Sequence, residues 1–130
     1  MAAIKLNELW GFIDQSGKTI ITPKYEEVGS FSDGLVAVQL SGKWGFVNKA
    51  GKEIVPIKYD NAGSFSEGLA TVQIIEKCGF IDTSGTVVIP MIYDEIESFS
   101  FGSSYVSLNG EWFYFNKKGE RVEGKGLTDF

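Results

Sequence analysis

The residues in this sequence that could do chemistry are few and scattered. One thiol, Cys78, could act as a nucleophile if a cation or base lowered its pKa. The chain has no histidine, which removes the usual general base, the commonest zinc ligand and the side chain that titrates near neutral pH. Cys78 therefore reads as a small buried hydrophobe. Carboxylates are more plentiful, but their spacing does not suit a catalytic or metal-binding set. Asp33 and Glu67 share a position in a recurring pattern, and its third occupant is Phe101. Asp14 and Asp82 alternate with Asn48 and Asn116, which a turn cap tolerates and an acid/base pair does not. Calcium loops need several oxygen ligands each, more than these turns offer. No catalytic residue, metal or cofactor is expected. What remains is aromatic stacking. Trp10, Trp44 and Trp112 could form a ladder that stacks a ligand, or each could anchor one unit of the fold on the next.

The elements that position these residues are written as a repeat. "LWGFIDQSGKTIIT" (Leu9 to Thr22) returns as "KWGFVNKAGKEIVP" (Lys43 to Pro56), "KCGFIDTSGTVVIP" (Lys77 to Pro90) and "EWFYFNKKGERVEG" (Glu111 to Gly124). The period is 34 residues, which also occurs in helical arrays, so the contents must decide the class. Short alternating runs rich in Val, Ile and aromatics are broken by glycine turns, and no helical spacing is sustained. The chain is all-β.

Each period predicts a three-stranded antiparallel meander. In "GLVAVQL" (Gly34 to Leu40), Val36, Val38 and Leu40 share one face, and Leu35, Ala37 and Gln39 the other. A short turn follows, "SGK" (Ser41 to Lys43) in one copy, with Asn109-Gly110 as its equivalent in the last, a strong hairpin signal. "WGFVN" is the second strand. A D/N-x-x-G turn comes next, its Asp or Asn able to cap the turn and its glycine able to take positive φ. The third strand, for example Glu53 to Val55, is expected to close at Pro56 or Pro90.

The units fall at about 2–22, 36–56, 70–90 and 104–123, joined by similar linkers at 24–34, 58–68 and 92–102. The whole chain, 1–130, reads as a single repeat domain that starts and stops at unit edges. The last eight residues, "EGKGLTDF", are read as part of a C-terminal cap or as a loose tail.

Trp-Gly followed by an aromatic, the D/N-x-x-G turn, a β-branched strand with proline, then Tyr and F-S-x-G together resemble the WG (KWG) repeat of bacterial proteins. The resemblance covers nearly the whole chain. It implies β-rich tandem repeats in modular proteins and assigns no catalytic residues. Two copies depart from the pattern: Cys78 stands in place of tryptophan, and Phe113 in place of Gly11, Gly45 and Gly79. Those glycines sit in mid-strand, where something must approach closely. A linker aromatic such as Tyr25 or Phe31 is expected over each.

Bulk composition narrows the function. The net charge is −5, with 17 acidic against 12 basic residues and no basic cluster. Nucleic acid and anionic lipid are therefore poor partners for it. No run of 18 apolar residues and no signal-like N-terminus appears, so no membrane span is expected. As written the chain is expected in the cytoplasm; a surface or secreted location stays open if it is a fragment.

The units are expected to stack as an open twisted array, with a small four-bladed propeller-like ring as the alternative. The function expected is a non-catalytic interaction module binding protein or peptide. The alternative is a glycan or cell-wall binding module using aromatic hairpins such as "EWFYFNKKGE" (Glu111 to Glu120). A local site is expected where copies differ: Phe101 in place of an acid, Tyr105 in place of Ala37 and Thr71, and Phe113 in place of glycine.

Overall fold

The computed structural model describes residues 1–122; the tail read as a cap or a loose end, 123–130, lies outside the described residues. Four antiparallel sheets follow one another along the chain, with no helix among the described residues. The first contains β1 (Ala2–Leu6), β2 (Leu9–Ile13) and β3 (Thr19–Tyr25). The second contains β4 (Glu27–Val28), β5 (Leu35–Leu40), β6 (Lys43–Asn48) and β7 (Glu53–Tyr59). The third contains β8 (Asn61–Ala62), β9 (Leu69–Ile74), β10 (Lys77–Asp82) and β11 (Val87–Tyr93). The fourth contains β12 (Glu95–Ile96), β13 (Ser103–Leu108), β14 (Glu111–Asn116) and β15 (Arg121–Val122).

The expected meander is present in each sheet, but three of the four gain a fourth strand. The linker leaves one sheet and immediately pairs two residues with the first long strand of the next, as in Glu27↔Gln39 and Val28↔Val38. That edge pairing fixes how each unit follows the last.

The turns form for the reasons their sequences suggest. Asn109 and Gly110 both take positive φ, 52° and 83°, the geometry that matches strand twist in a two-residue hairpin. In the D/N-x-x-G turn the first side chain accepts two main-chain N–H bonds. Asn48 Oδ1 accepts from Ala50 and Lys52, both at 2.9 Å, and Asp82 Oδ1 accepts from Ser84 and Thr86 at 2.9 and 3.0 Å.

The third strand does not close at its proline. It runs on to Tyr25, Tyr59 or Tyr93 through a wide bulge. Trp44 faces Tyr59 while Phe46 faces Val55, so four residues on β7 span two on β6. Pro56 lies within this bulge, where a missing N–H breaks no ladder bond. The bulge also corrects the expectation for the mid-strand glycines. A Cβ on Gly45 would sit 2.6 Å from the Val55 carbonyl oxygen and 2.8 Å from Ile57 Cα. Main chain, not a linker ring, occupies the gap. Phe31 packs elsewhere, edge-on against Phe12 at 5.0 Å.

Both faces of the inner sheets are buried. Phe12, Ile21 and Tyr25 of the first sheet pack on Val36, Val38 and Val47 of the second. Ala37, Phe46, Val55 and Tyr59 on the opposite side of the second sheet pack on Ala70, Val72 and Ile81 of the third. Phe80 and Ile89 of the third pack on Val106 and Phe115 of the fourth. Each inner sheet thus offers a forward face to its successor and a rear face to its predecessor. Among the described residues no core cluster joins the first sheet to the last. The array is open rather than a ring.

Candidate binding surface

Two rails of polar bonds tie each unit to the next. On one, Asp33 Oδ2 accepts from the Gly68 N–H at 2.9 Å, and Glu67 Oε1 from the Gly102 N–H at 2.8 Å. Beside it Ser66 Oγ donates to the Phe99 carbonyl at 2.9 Å, as Ser32 does to Phe65. On the other rail the linker acid accepts from the next unit's hairpin turn. Asp60 Oδ2 takes the Ile75 N–H at 2.7 Å, and Asp94 Oδ2 the Asn109 N–H at 2.9 Å. The same two carboxylates pair with Lys43 and Lys77.

These bonds hold both carboxyls below the ordinary value of 3.8. For Asp60 the Ile75 N–H contributes most, followed by the Lys43 ammonium. For Asp94 the order is Lys77, then Asn109. A depressed folded-state pKa stabilises above the unfolded value, and that stability disappears as pH falls through the folded one. The variant carrying Asp60→Asn and Asp94→Asn is therefore expected to melt below the parent at pH 7. In thermal melts the gap should begin to narrow below the ordinary 3.8 and close once pH has fallen through the lowered folded-state values, where the parent carboxyls protonate too. A gap that persists undiminished at low pH would rule out the charge as the cause.

The first rail explains Phe101. Asp33 and Glu67 are acids because a following turn donates to them, and the fourth sheet is the last among the described residues. Phe101 keeps the same backbone, with φ 54° against 53° and 54° for the two acids. Its ring is completely exposed.

Tyr105 points away from Val106, which is buried at the seam with the third sheet. The tyrosine stands on the forward face of the fourth sheet, the face that the next sheet covers in every earlier unit. Trp112 and Tyr114 share that face; differences between copies single out Tyr105 alone of the three, and the other two enter the sequence reading only through the tryptophan ladder and the aromatic hairpin Glu111 to Glu120. Tyr105 meets Trp112 at 5.7 Å and 79°, and Tyr114 at 5.1 Å and 61°, both edge-to-face. Tyr105 is 42% exposed and Trp112 49%. Glu97 lies beside them, its N–H bonded to the Tyr105 carbonyl at 3.1 Å.

Phe113 is on the other side. It packs half-buried in the seam with the third sheet, with Arg121 4.0 Å above its ring. The structure therefore separates Phe113 from Tyr105, and Phe101 lies at the turn that precedes β13. Of the tryptophans, Trp44 packs into the seam between the second and third sheets, and Trp10 is half-buried with Lys5 Nζ 5.5 Å from its ring. Cys78 is half-buried. Its thiol is pushed above the ordinary 9.0 by burial, then by Asp94 and Glu95, which disfavours the thiolate a nucleophile needs. Among the described residues no group of three metal-ligating side chains comes together.

A profile described as WG containing repeat matches three consecutive stretches, residues 10–44, 44–78 and 79–112. No curated protein and no solved structure matched the chain. The matched stretches cover most of the sequence and follow the period that the four sheets repeat. The chain belongs to the WG containing repeat family.

Proposed function

We propose that this repeat module binds a protein through the forward face of its fourth sheet, with Tyr105, Trp112 and Tyr114 at the centre and Phe101 projecting at the edge. One observation carries the reading: a face of the kind that is buried in each earlier unit is here open and aromatic. Exposed, mutually supported aromatic rings are the usual anchors of protein interfaces. Phe113 serves the site from behind, holding the fourth sheet on the third. Glu97 at the rim and the net charge of −5 favour a partner whose contact surface is apolar at the centre and basic around it.

A glycan-stacking surface needs coplanar, exposed aromatic rings. Trp10 and Trp44 are half-buried, and Trp112 stands edge-on to Tyr105, an arrangement that gives the alternative little support.

Selection of a random linear peptide library on the protein tests the proposal. Binders should carry apolar residues flanked by Lys or Arg, and should associate more slowly as salt rises. Tyr105→Ser and Trp112→Ser should each weaken them by about 30-fold, the loss expected of an anchor worth 2 kcal/mol. Binders that keep full affinity for the double variant would place recognition elsewhere.

A further inference from the structure

At the seam between the third and fourth sheets lies a half-open pocket of about 250 Å³ lined by Asn61, Gly63, Thr71, Gln73, Cys78 and Ile96. Its position in the repeat explains it. Cys78 faces Gln73 across β9–β10, in the register where Trp44 faces Gln39 and Trp10 faces Lys5. Trp44 packs into the seam ahead of it together with Ala62 of the following edge strand. In the next seam the tryptophan is a cysteine and the edge-strand residue is Ile96, which projects further than alanine and still leaves the space open. The pocket thus opens at the register position that Trp44 holds one unit earlier.

The hairpin between Gln73 and Cys78 departs from the repeat as well. Ile75 and Glu76 hold φ of 48° and 65° where another copy has Asn109-Gly110. A β-branched side chain is disfavoured in that region, and Ile75 is 80% exposed next to the pocket-lining strand ends. Strain at an exposed apolar residue beside a pocket is a feature of binding sites more often than of bare scaffold.

We propose that this pocket binds an indole ring, presented by a tryptophan side chain or as a small indole compound, in the place that Trp44 fills one unit earlier. The size is suitable: an apolar cavity of about 150 Å³ accepts benzene, and indole is one fused ring larger. The lining is suitable too. Ile96 and the thiol offer apolar contact to the ring, while the Gln73 carboxamide oxygen and the Thr71 hydroxyl can accept the indole N–H. This site lies on the seam ahead of the fourth sheet and does not depend on the terminal aromatic face.

Cys78 is the only cysteine, so its alkylation reports on the pocket directly. Iodoacetamide labelling at alkaline pH should slow at least fivefold, saturably, in the presence of millimolar indole. N-acetyltryptophanamide, as a second arm, separates the two sources. Protection by both ligands assigns the pocket to a tryptophan side chain, and protection by indole alone assigns it to a free small molecule. Unchanged labelling with both would overturn the proposal. Cys78→Trp should fold, melt higher than the parent and show no saturation transfer from the protein to indole, whereas Cys78→Ala should retain that transfer. A Cys78→Trp protein that still binds indole would equally overturn it, and if that variant does not fold, the labelling of the parent protein decides.

Discussion

Replacing Phe46 with alanine is expected to destabilise the protein by about 3–5 kcal/mol, a large share of the roughly 5–15 kcal/mol available to a domain. Phe46 is 1% exposed and its ring meets Phe65 edge-on at 4.7 Å and 64°. It sits on the forward face of the second sheet, in the cluster that joins that sheet to the third. Losing it removes transfer energy, an edge-to-face pair and the attachment between halves of the array. Tyr114 occupies the same register in the fourth sheet, opposite Tyr105 as Phe46 is opposite Ala37. It has no following sheet among the described residues, and Tyr114→Ala should cost only about 1 kcal/mol. Urea denaturation of both variants measures the contrast. Equal losses would mean that forward faces do not join successive units, which would remove the basis for calling the last one open.

That contrast shows which parts of the structure could be read from residue types. Strand alternation placed Tyr105 on the face opposite Val106, because a period of two leaves no choice once Val106 is buried. The D/N-x-x-G turns were equally legible, since their capping bonds are local. The edge strands were not. "EV", "NA" and "EI" are too short to signal a strand, and they pair because the linker main chain passes within reach of the next sheet. The identity of the open face was only half legible. Differences between copies point to Phe101, Tyr105 and Phe113, but not to Trp112, which repeats Trp10 and Trp44, nor to Tyr114, which differs from phenylalanine by one hydroxyl. What changes at those two positions is the neighbour, not the residue. The same differences put Phe113 with Tyr105, although their strands turn the two rings to opposite faces. The task of Asp33 and Glu67 was not legible because the N–H that each accepts belongs to the next unit's turn, 35 residues further on.

Gly45→Ala should cost about 3 kcal/mol, near the upper end for an overpacked core, although it adds only one methyl group. The new Cβ would lie 2.6 Å from the Val55 carbonyl oxygen and 2.8 Å from Ile57 Cα. Both are main-chain atoms of a bulge held on either side by the Phe46–Val55 and Trp44–Tyr59 pairs. A side chain could rotate aside; this backbone can yield only by opening the bulge and withdrawing Tyr59, which is 1% exposed in the core. The bulge and the glycine are therefore one device, and the proline inside the bulge belongs to it because an N–H there has no partner to lose. At Phe113, which stands in the same register, β14 and β15 pair at Tyr114↔Val122 and Phe115↔Arg121, and Arg121 lies 4.0 Å from the ring. If an aromatic ring filled the gap at Gly45, truncating the nearby ring would relieve the clash. Because main chain fills it, Phe65→Ala should give no relief, and the double variant should be less stable than either single variant. A double variant more stable than Gly45→Ala alone would return the gap to the ring.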